Sequence, residues 1–535
     1  MTTAELIVQA DTVHTLDVGR PTAEAVAMAG GIIVGVGSRA EAMAWRGRAT
    51  EVIDLGPATL TPGLVDGHLH PVTGVDMTRG VDLTTVTSLP QLVDVLRGAP
   101  RVEPEGWVLG WGLSPDAFAR TPLTYAPLVQ ALGEAPVFLL MNDAHAALAS
   151  PSALRAAGID GPRAFAGATE IVCDEAGRPT GHLLEIPAYE LVVAVMPPEA
   201  DVVRRDKLRQ LLRDMAAVGL TAGNAMDFQG DSGALVAALE EETDLPLRLR
   251  FAPLCMPGAG PAEIAEILDQ QRIGGRRWQV EGVKFMIDGT IDGGTAWLHE
   301  PDCFGESTAP FWPEPQAYAE ALRHLAAAGV PTVTHAIGDA GVRYVLDALE
   351  DLPAAPTRVP HRIEHLETVP DDLVGRFARQ DVTASMQPTH CTLYARADQT
   401  DNWSHRLGPE RAGRAWRTRD LRAEGARLVL GSDWPVAPYD PRAVLADAQL
   451  RRPHGRPEIP EIRPEQRLTA RMALEGYTTH AAAAAGLERV AGRIREGFRA
   501  DLSAFGLDPL LVPPDEFAEA AVPLTVVDGT VAHRG

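Results

Sequence analysis

The chain has 535 residues, 45% of them hydrophobic and 22% charged, and 72 Asp and Glu against 48 Lys and Arg give a formal charge of −24. That length exceeds one ordinary domain and suits a large α/β unit with a satellite. The acidic balance argues against nucleic acid and anionic membranes as partners. The scattered cysteines Cys173, Cys255, Cys303 and Cys391 form no CxxC pair, which argues against a disulfide scaffold or a cysteine zinc site.

The first residues, "MTTAELIVQADTVHTLDVG", carry Asp and Glu where a secretory signal needs basic residues, and have no long apolar core. No stretch approaches the roughly 20 apolar residues of a spanning helix. The expectation is a soluble, cytoplasmic protein. Residues 6–55 read as short strands and turns, from glycine pairs and alternating β-branched residues. The far end, "GRIREGFRADLSAFGLDP" and "LTVVDGTVAHRG", has the same texture. Residues 1–58 and 487–535 are therefore expected to build one small β-sandwich domain from both termini.

Residues 59–486 change character. "TLTPGLVDGHLHP" (59–71), "LTAGNAMD" (220–227), "LRLRFAPL" (247–254) and "VEGVKFMIDG" (280–289) read as strands, as do "VPTVTHAIGD" (330–339), "HRIEHLE" (361–367), "VTASMQP" (382–388) and "RLVLGSDWP" (427–435). Helical periodicity separates most of them, and about eight strand–helix units predict a (β/α)8 TIM-like barrel. Residues 71–200, too long for a loop, are expected to be an insertion with its own structure over the C-terminal mouth.

Chemistry-bearing residues fall at the expected strand ends. His68 and His70, two apart on a strand, project to one side. Lys284 lies on the strand at 280–289, and His335, His365 and Asp433 end three later ones. Singly, each has a blander explanation: a packed structural histidine, a snorkelling lysine, a turn or cap aspartate. Together they share one register and converge on the barrel mouth, and imidazoles with a carboxylate suit zinc or a similar divalent ion.

The segments "PGLVDGHLHP", "VKFMIDGT", "THAIGDAG", "RIEHLE", "LGSDWPV" and "GRIREGFRADL" resemble the amidohydrolase superfamily, and within it the amidohydrolase family 3 branch that includes N-substituted formamide deformylases. The resemblance implies a metal-dependent hydrolase of an amide or N-formyl C–N bond in a small molecule, through a metal-activated hydroxide. It implies two zinc ions per chain. His68 and His70 match ligands of the first ion and His335 and His365 those of the second. Lys284 matches a lysine that relatives carry as a bridging Nζ-carbamate, and Asp433 matches a ligand that is also the general base. It also allows a homodimer.

Four further residues are candidates for substrate contact: Trp111, His145, Asp288 and Trp434, with structural support the rival role for His145 and Asp288. Asn224 stands where many relatives have a histidine, so a different pocket wall is expected with the metal site intact; Ala147 stands where they have a large aromatic, so a roomier pocket is expected. His390 reads as a rim residue and not as a ligand. Three rival functions stay open: a hydrolytic deaminase on the same barrel, a non-catalytic binding or regulatory barrel, and a non-hydrolytic barrel such as a decarboxylase. Deaminases of this kind rely on a glutamate soon after the His335 position, where this chain has "AIGDAG". A relic would be expected to have lost a ligand, and all six positions are filled.

Overall fold

A computed structural model describes residues 3–102, 105–119, 121–165, 167–352 and 357–535. Eight parallel strands organise the middle of the chain: β1 (Leu64–Leu69), β2 (Leu220–Ala225), β3 (Arg248–Phe251), β4 (Val283–Met286), β5 (Thr332–Ala336), β6 (Arg362–His365), β7 (Thr383–Met386) and β8 (Leu428–Leu430). β1, β2 and β3 pair in that order, with a short strand Trp278–Val280 beyond β3, and β4 to β8 pair consecutively. Main-chain bonds join the two arcs at both sides. The amides of Lys284 and Cys255 reach the carbonyls of Pro253 and Lys284, each at 2.8 Å. The amides of Asp433 and His70 reach the carbonyls of His68 and Trp434 at 2.7 and 2.8 Å.

β4 to β8 are buried at every position, as parallel strands covered on both faces must be. The intervening helices supply the cover. Asp339–Glu350 buries Val342, Val345, Leu346 and Leu349, a three- and four-residue spacing that makes one apolar stripe.

The strand expected at 59–66 is two strands in two sheets. Thr59–Pro62 pairs with Ala4–His14 and with Leu502–Phe505, whereas β1 pairs with β2. Pro62 has no amide to continue a ladder. Gly63 donates its amide to Asp501 O at 2.8 Å, and a Cβ there would come within 2.9 Å of the Asp501 carbonyl carbon. The Thr59–Pro62 strand thus ties the start of the chain to its end. The pairings give one continuous eight-stranded sheet from the terminal strands, where a sandwich was expected.

The segment after β1 holds a six-stranded sheet of its own. Its strand Val137–Met141 alternates between two cores. Val137, Leu139 and Met141 pack with Leu92, Leu96 and Phe118 on one face, while Phe138 and Leu140 pack with Trp107 and Leu183 on the other. No helix among the described residues is long and apolar enough to cross a membrane.

β8 can lie against β1 only because residue 67 is glycine: a Cβ there would sit 2.6 Å from Leu430 O, a backbone atom with no freedom to yield. Gly67→Ala is expected to cost about 1–3 kcal/mol of stability, as overpacking does. Denaturant unfolding should show a lower midpoint, and an unchanged midpoint would contradict this close approach.

Candidate metal centre

The C-terminal ends of β1, β5, β6 and β8 bring five of the expected residues together: His68, His70, His335, His365 and Asp433. His68 Nε2 and His70 Nε2 lie 3.3 and 3.2 Å from Asp433 Oδ1. His365 Nδ1 and His390 Nε2 each lie 3.7 Å from Asp433 Oδ2. Asp433 therefore stands between two groups of potential ligand atoms, His68–His70–Asp433 and His365–His390–Asp433, each gathered within 4.8 Å. His335 completes the row of rings, 4.4 Å from His365 between centroids. Lys284, on β4, lines the same cavity.

Two of these residues hold unusual backbones. His365 has φ 73° and Asp433 φ 62°, left-handed values that non-glycine residues seldom adopt and that concentrate at functional sites. At His365 the strand's alternation is suspended, so that Glu364 and His365, adjacent in sequence, both serve the site.

The surrounding groups fix ring orientation. Glu364 Oε2 is 2.7 Å from His68 Nδ1, and Gln387 Oε1 is 3.0 Å from His365 Nδ1. His335 donates from Nε2 to the Gly289 carbonyl at 3.0 Å. Each ring thus spends one nitrogen on the protein and keeps the other, the usual arrangement of a metal-binding histidine. Arg362, itself buried, donates to Glu364 Oε1 at 2.9 Å and to the Gly67 carbonyl at 2.7 Å.

The electrostatics follow from burial and neighbours. Burial lowers the His68 imidazole to about 4, helped by Lys284, so the ring is neutral. Burial alone would raise the Asp433 carboxyl, but the imidazoles of His68, His70 and His365 outweigh it and hold the group well below the usual carboxylate range. For Glu364 burial likewise opposes ionisation, and Arg362 and His68 overcome it, keeping the carboxylate charged. Burial lowers the Lys284 ammonium to about 8 against the pull of Glu364 and Asp433. Buried His68 Nε2 and His390 Nε2 have no hydrogen-bond partner among the described residues. Orphaned, lone-pair-bearing nitrogens beside an ionised carboxylate are the donor set a divalent cation takes.

The centre opens into a cavity of about 480 Å³. The inserted sheet and its connections supply much of its wall, including Leu109, Phe138, Leu140, Ile186 and Tyr189. His145 lies there too, its ring 5.1 Å from that of His335 and its Nδ1 2.9 Å from Glu185 Oε2. Burial would lower this imidazole; the Glu185 carboxylate, with Asp143 behind it, reverses that and lifts it to about 9. Glu367 also faces the cavity, accepting from Trp403 Nε1 at 2.6 Å, and burial pushes its carboxyl up to about 8.

The other sequence candidates sit elsewhere. Asp288 is fully buried behind the cavity wall. Its carboxylate accepts the amides of Trp297, Ile337 and Gly338 at 3.0, 3.1 and 2.7 Å, so it fixes the turns after β4 and β5 instead of facing substrate. Trp111 and Trp434 line a neighbouring cleft, which shares Asn142, Tyr394 and Val436 with the main cavity. Ala147 is inside the insertion's own core and widens nothing at the site. Asn224 lines a separate hollow towards the N-terminal ends of β1 to β3.

His390 is the reverse case: the residue expected at the rim is buried beside Asp433, because the helix Pro388–Tyr394 starts directly after β7 and turns its first residues inward. Glu364, Gln387 and Glu185 carried no legible signal. Glu364 stood inside a quoted motif, but strand alternation would have faced it away from His365.

An amidohydrolase family model matches residues 51–533. YtcJ of Bacillus subtilis (strain 168), described as a candidate amidohydrolase, is 28% identical over 523 residues, 96% of each chain. The N-substituted formamide deformylase of Arthrobacter pascens is 26% identical over 545 residues, covering 98% of this chain and 97% of its own. An uncharacterized metal-dependent hydrolase from Pyrococcus horikoshii OT3 has the same fold at a TM-score of 0.72 and 22% identity, over 95% of this chain and 99% of that one. With the family model spanning nearly its whole length, the chain belongs to the amidohydrolase family.

Proposed function

We propose that this chain is a metal-dependent hydrolase that cleaves an amide or N-formyl C–N bond in a small molecule. The observation that carries the reading is Asp433, one carboxylate shared by two histidine groups at the mouth of a largely apolar cavity. The likeness to the Arthrobacter deformylase supports the bond type. We read the two parallel arcs as one closed (β/α)8 barrel (residues 59–486), the terminal strands (1–58 and 487–535) as a satellite domain, and residues 71–200 as its insertion. The protein is taken to be cytoplasmic, with a homodimer as its assembly.

Two divalent ions fit the donor set, zinc foremost. His68, His70 and Asp433 would hold one, and His335, His365 and Lys284 the other, with His390 beside the second. Lys284 is buried, and its Nζ forms no hydrogen bond or ion pair among the described residues. A buried ammonium without a direct partner is costly, and carboxylation of Nζ would replace it by an anionic ligand. Bound ions supply Lewis acidity that makes water nucleophilic near neutral pH.

The protein's own part is positional. Asp433 takes the proton of the attacking water and returns it to the leaving nitrogen. Glu364 and Gln387 hold the rings of His68 and His365 in one orientation. The apolar wall accommodates a hydrocarbon substituent and excludes bulk water from the reacting carbonyl.

A screen of amides and N-formyl compounds tests the reading: turnover should disappear on chelation and return with zinc, and chelator-resistant turnover would refute a metal-dependent reaction. Asp433→Asn is expected to keep the fold, read by circular dichroism, and lose about 10²–10⁴-fold in kcat; near-native kcat would remove it as the base. Glu364→Gln should weaken zinc affinity about 10–100-fold. Unchanged affinity in a competition titration would mean that Glu364 does not orient His68.

A further inference from the structure

Glu185 combines three features that a residue of purely structural role avoids. It is buried, with 1% of its surface exposed. Its Oε1 has no hydrogen-bond partner among the described residues. Its backbone lies at φ 67° and ψ 157°, a region open essentially to glycine alone. What this costly arrangement achieves is a fixed direction for one ring.

The pair is pinned from several sides. Glu185 Oε2 holds His145 Nδ1 at 2.9 Å, and the Glu185 amide donates to the His145 carbonyl at 2.7 Å. Asp143 accepts the His145 amide at 3.0 Å and the Thr290 hydroxyl at 2.9 Å, so the tip of the inserted sheet is tied to the loop after β4. That loop is the one whose Gly289 carbonyl accepts from His335 Nε2. A side chain at Gly289 would collide with Glu185 Oε1. With Nδ1 spent on Glu185, His145 Nε2 remains; it makes no hydrogen bond among the described residues, and the ring lines the cavity beside His335.

We propose that His145 is a catalytic residue delivered by the insertion, that its Nε2 hydrogen-bonds the scissile group of the substrate, and that Glu185 is the positioning residue held against its backbone preference to aim it. The inserted sheet thereby completes the active site. Such an interaction strengthens as charge develops in the transition state, so it acts on kcat more than on KM. This inference rests on the hydrolase reading above.

The test compares zinc-loaded native protein with Glu185→Gly, Glu185→Gln, His145→Phe and the His145→Phe/Glu185→Gly double variant, reading Tm, zinc content, kcat and KM. Glycine at 185 relieves the backbone and removes the orphan oxygen, so its Tm should equal or exceed the native value while kcat falls about 10²-fold. KM should change by no more than a few-fold and zinc content should hold. Glu185→Gln, which keeps an acceptor for Nδ1, should recover most of kcat. The double variant should be no slower than His145→Phe, because the two residues act as a unit.

A Tm lowered by several degrees in Glu185→Gly would make the pair a packing element and overturn the inference. So would native-like kcat in His145→Phe. A native protein that turns over no amide or N-formyl compound would defeat the hydrolase reading instead, and the Tm comparison would still decide whether Glu185 is held under strain.

Discussion

The site depends first on the seam where β8 runs beside β1. Asp66 lies fully buried in it and accepts the amides of His68 and Ser432, each at 3.0 Å. The amides of Asp433 and His70 then bond across to His68 and Trp434. Those bonds set Asp433 within 3.3 Å of two imidazoles whose own strand has placed them side by side. A carboxylate between histidines is expensive to bury unless something repays its desolvation. Here the imidazoles do so in part, and a bound cation would do so in full. The seam's glycines are a consequence: Gly67 and Gly431 leave the backbones room to meet, and a Cβ on Gly431 would sit 2.9 Å from Asp66 Oδ1.

Behind the seam, polarity is organised in layers. Arg362 supports Glu364, Glu364 supports His68, and His68 faces Asp433. Each member is buried, so each is constrained by its neighbour and has little freedom to reorient. Removing one would leave its partner's charge in a low-dielectric interior without compensation. The insertion approaches this rigid centre from outside. Its sheet packs between two apolar cores, and Leu109, Phe138 and Leu140 from one face join His145 in lining the cavity. Chemistry thus sits on the strand ends, while the shape of the cavity is set largely by the insertion.

Much of the site was legible in the sequence because strand periodicity carries it. His68 and His70 two residues apart, and His335, His365 and Asp433 each closing an apolar run, follow from the fact that strand ends converge. What was not legible depended on departures from periodicity or on contacts distant in sequence. Glu364 and His365 both serve the site because of a left-handed residue that alternation cannot foresee. His390 enters through a helix that begins without a loop. Asp288 looked available until the turns it braces were seen to use both its oxygens. Trp111 and Trp434 line the neighbouring cleft, and no local pattern specifies the placement of the segment that carries Trp111. The division of 59–66 between two sheets was likewise hidden, since Pro62 and Gly63 read equally well as a strand end or as a turn.

The most direct test of the account is the metal content of the purified protein, measured by elemental analysis alongside an anomalous-scattering crystal structure. About two zinc ions per chain are expected, one held by His68, His70 and Asp433 and one by His335 and His365, with added density on Lys284 Nζ. Protein that stays free of metal after reconstitution with zinc and bicarbonate would contradict the account, and would leave the histidines around Asp433 as a buried polar network with no ion to hold.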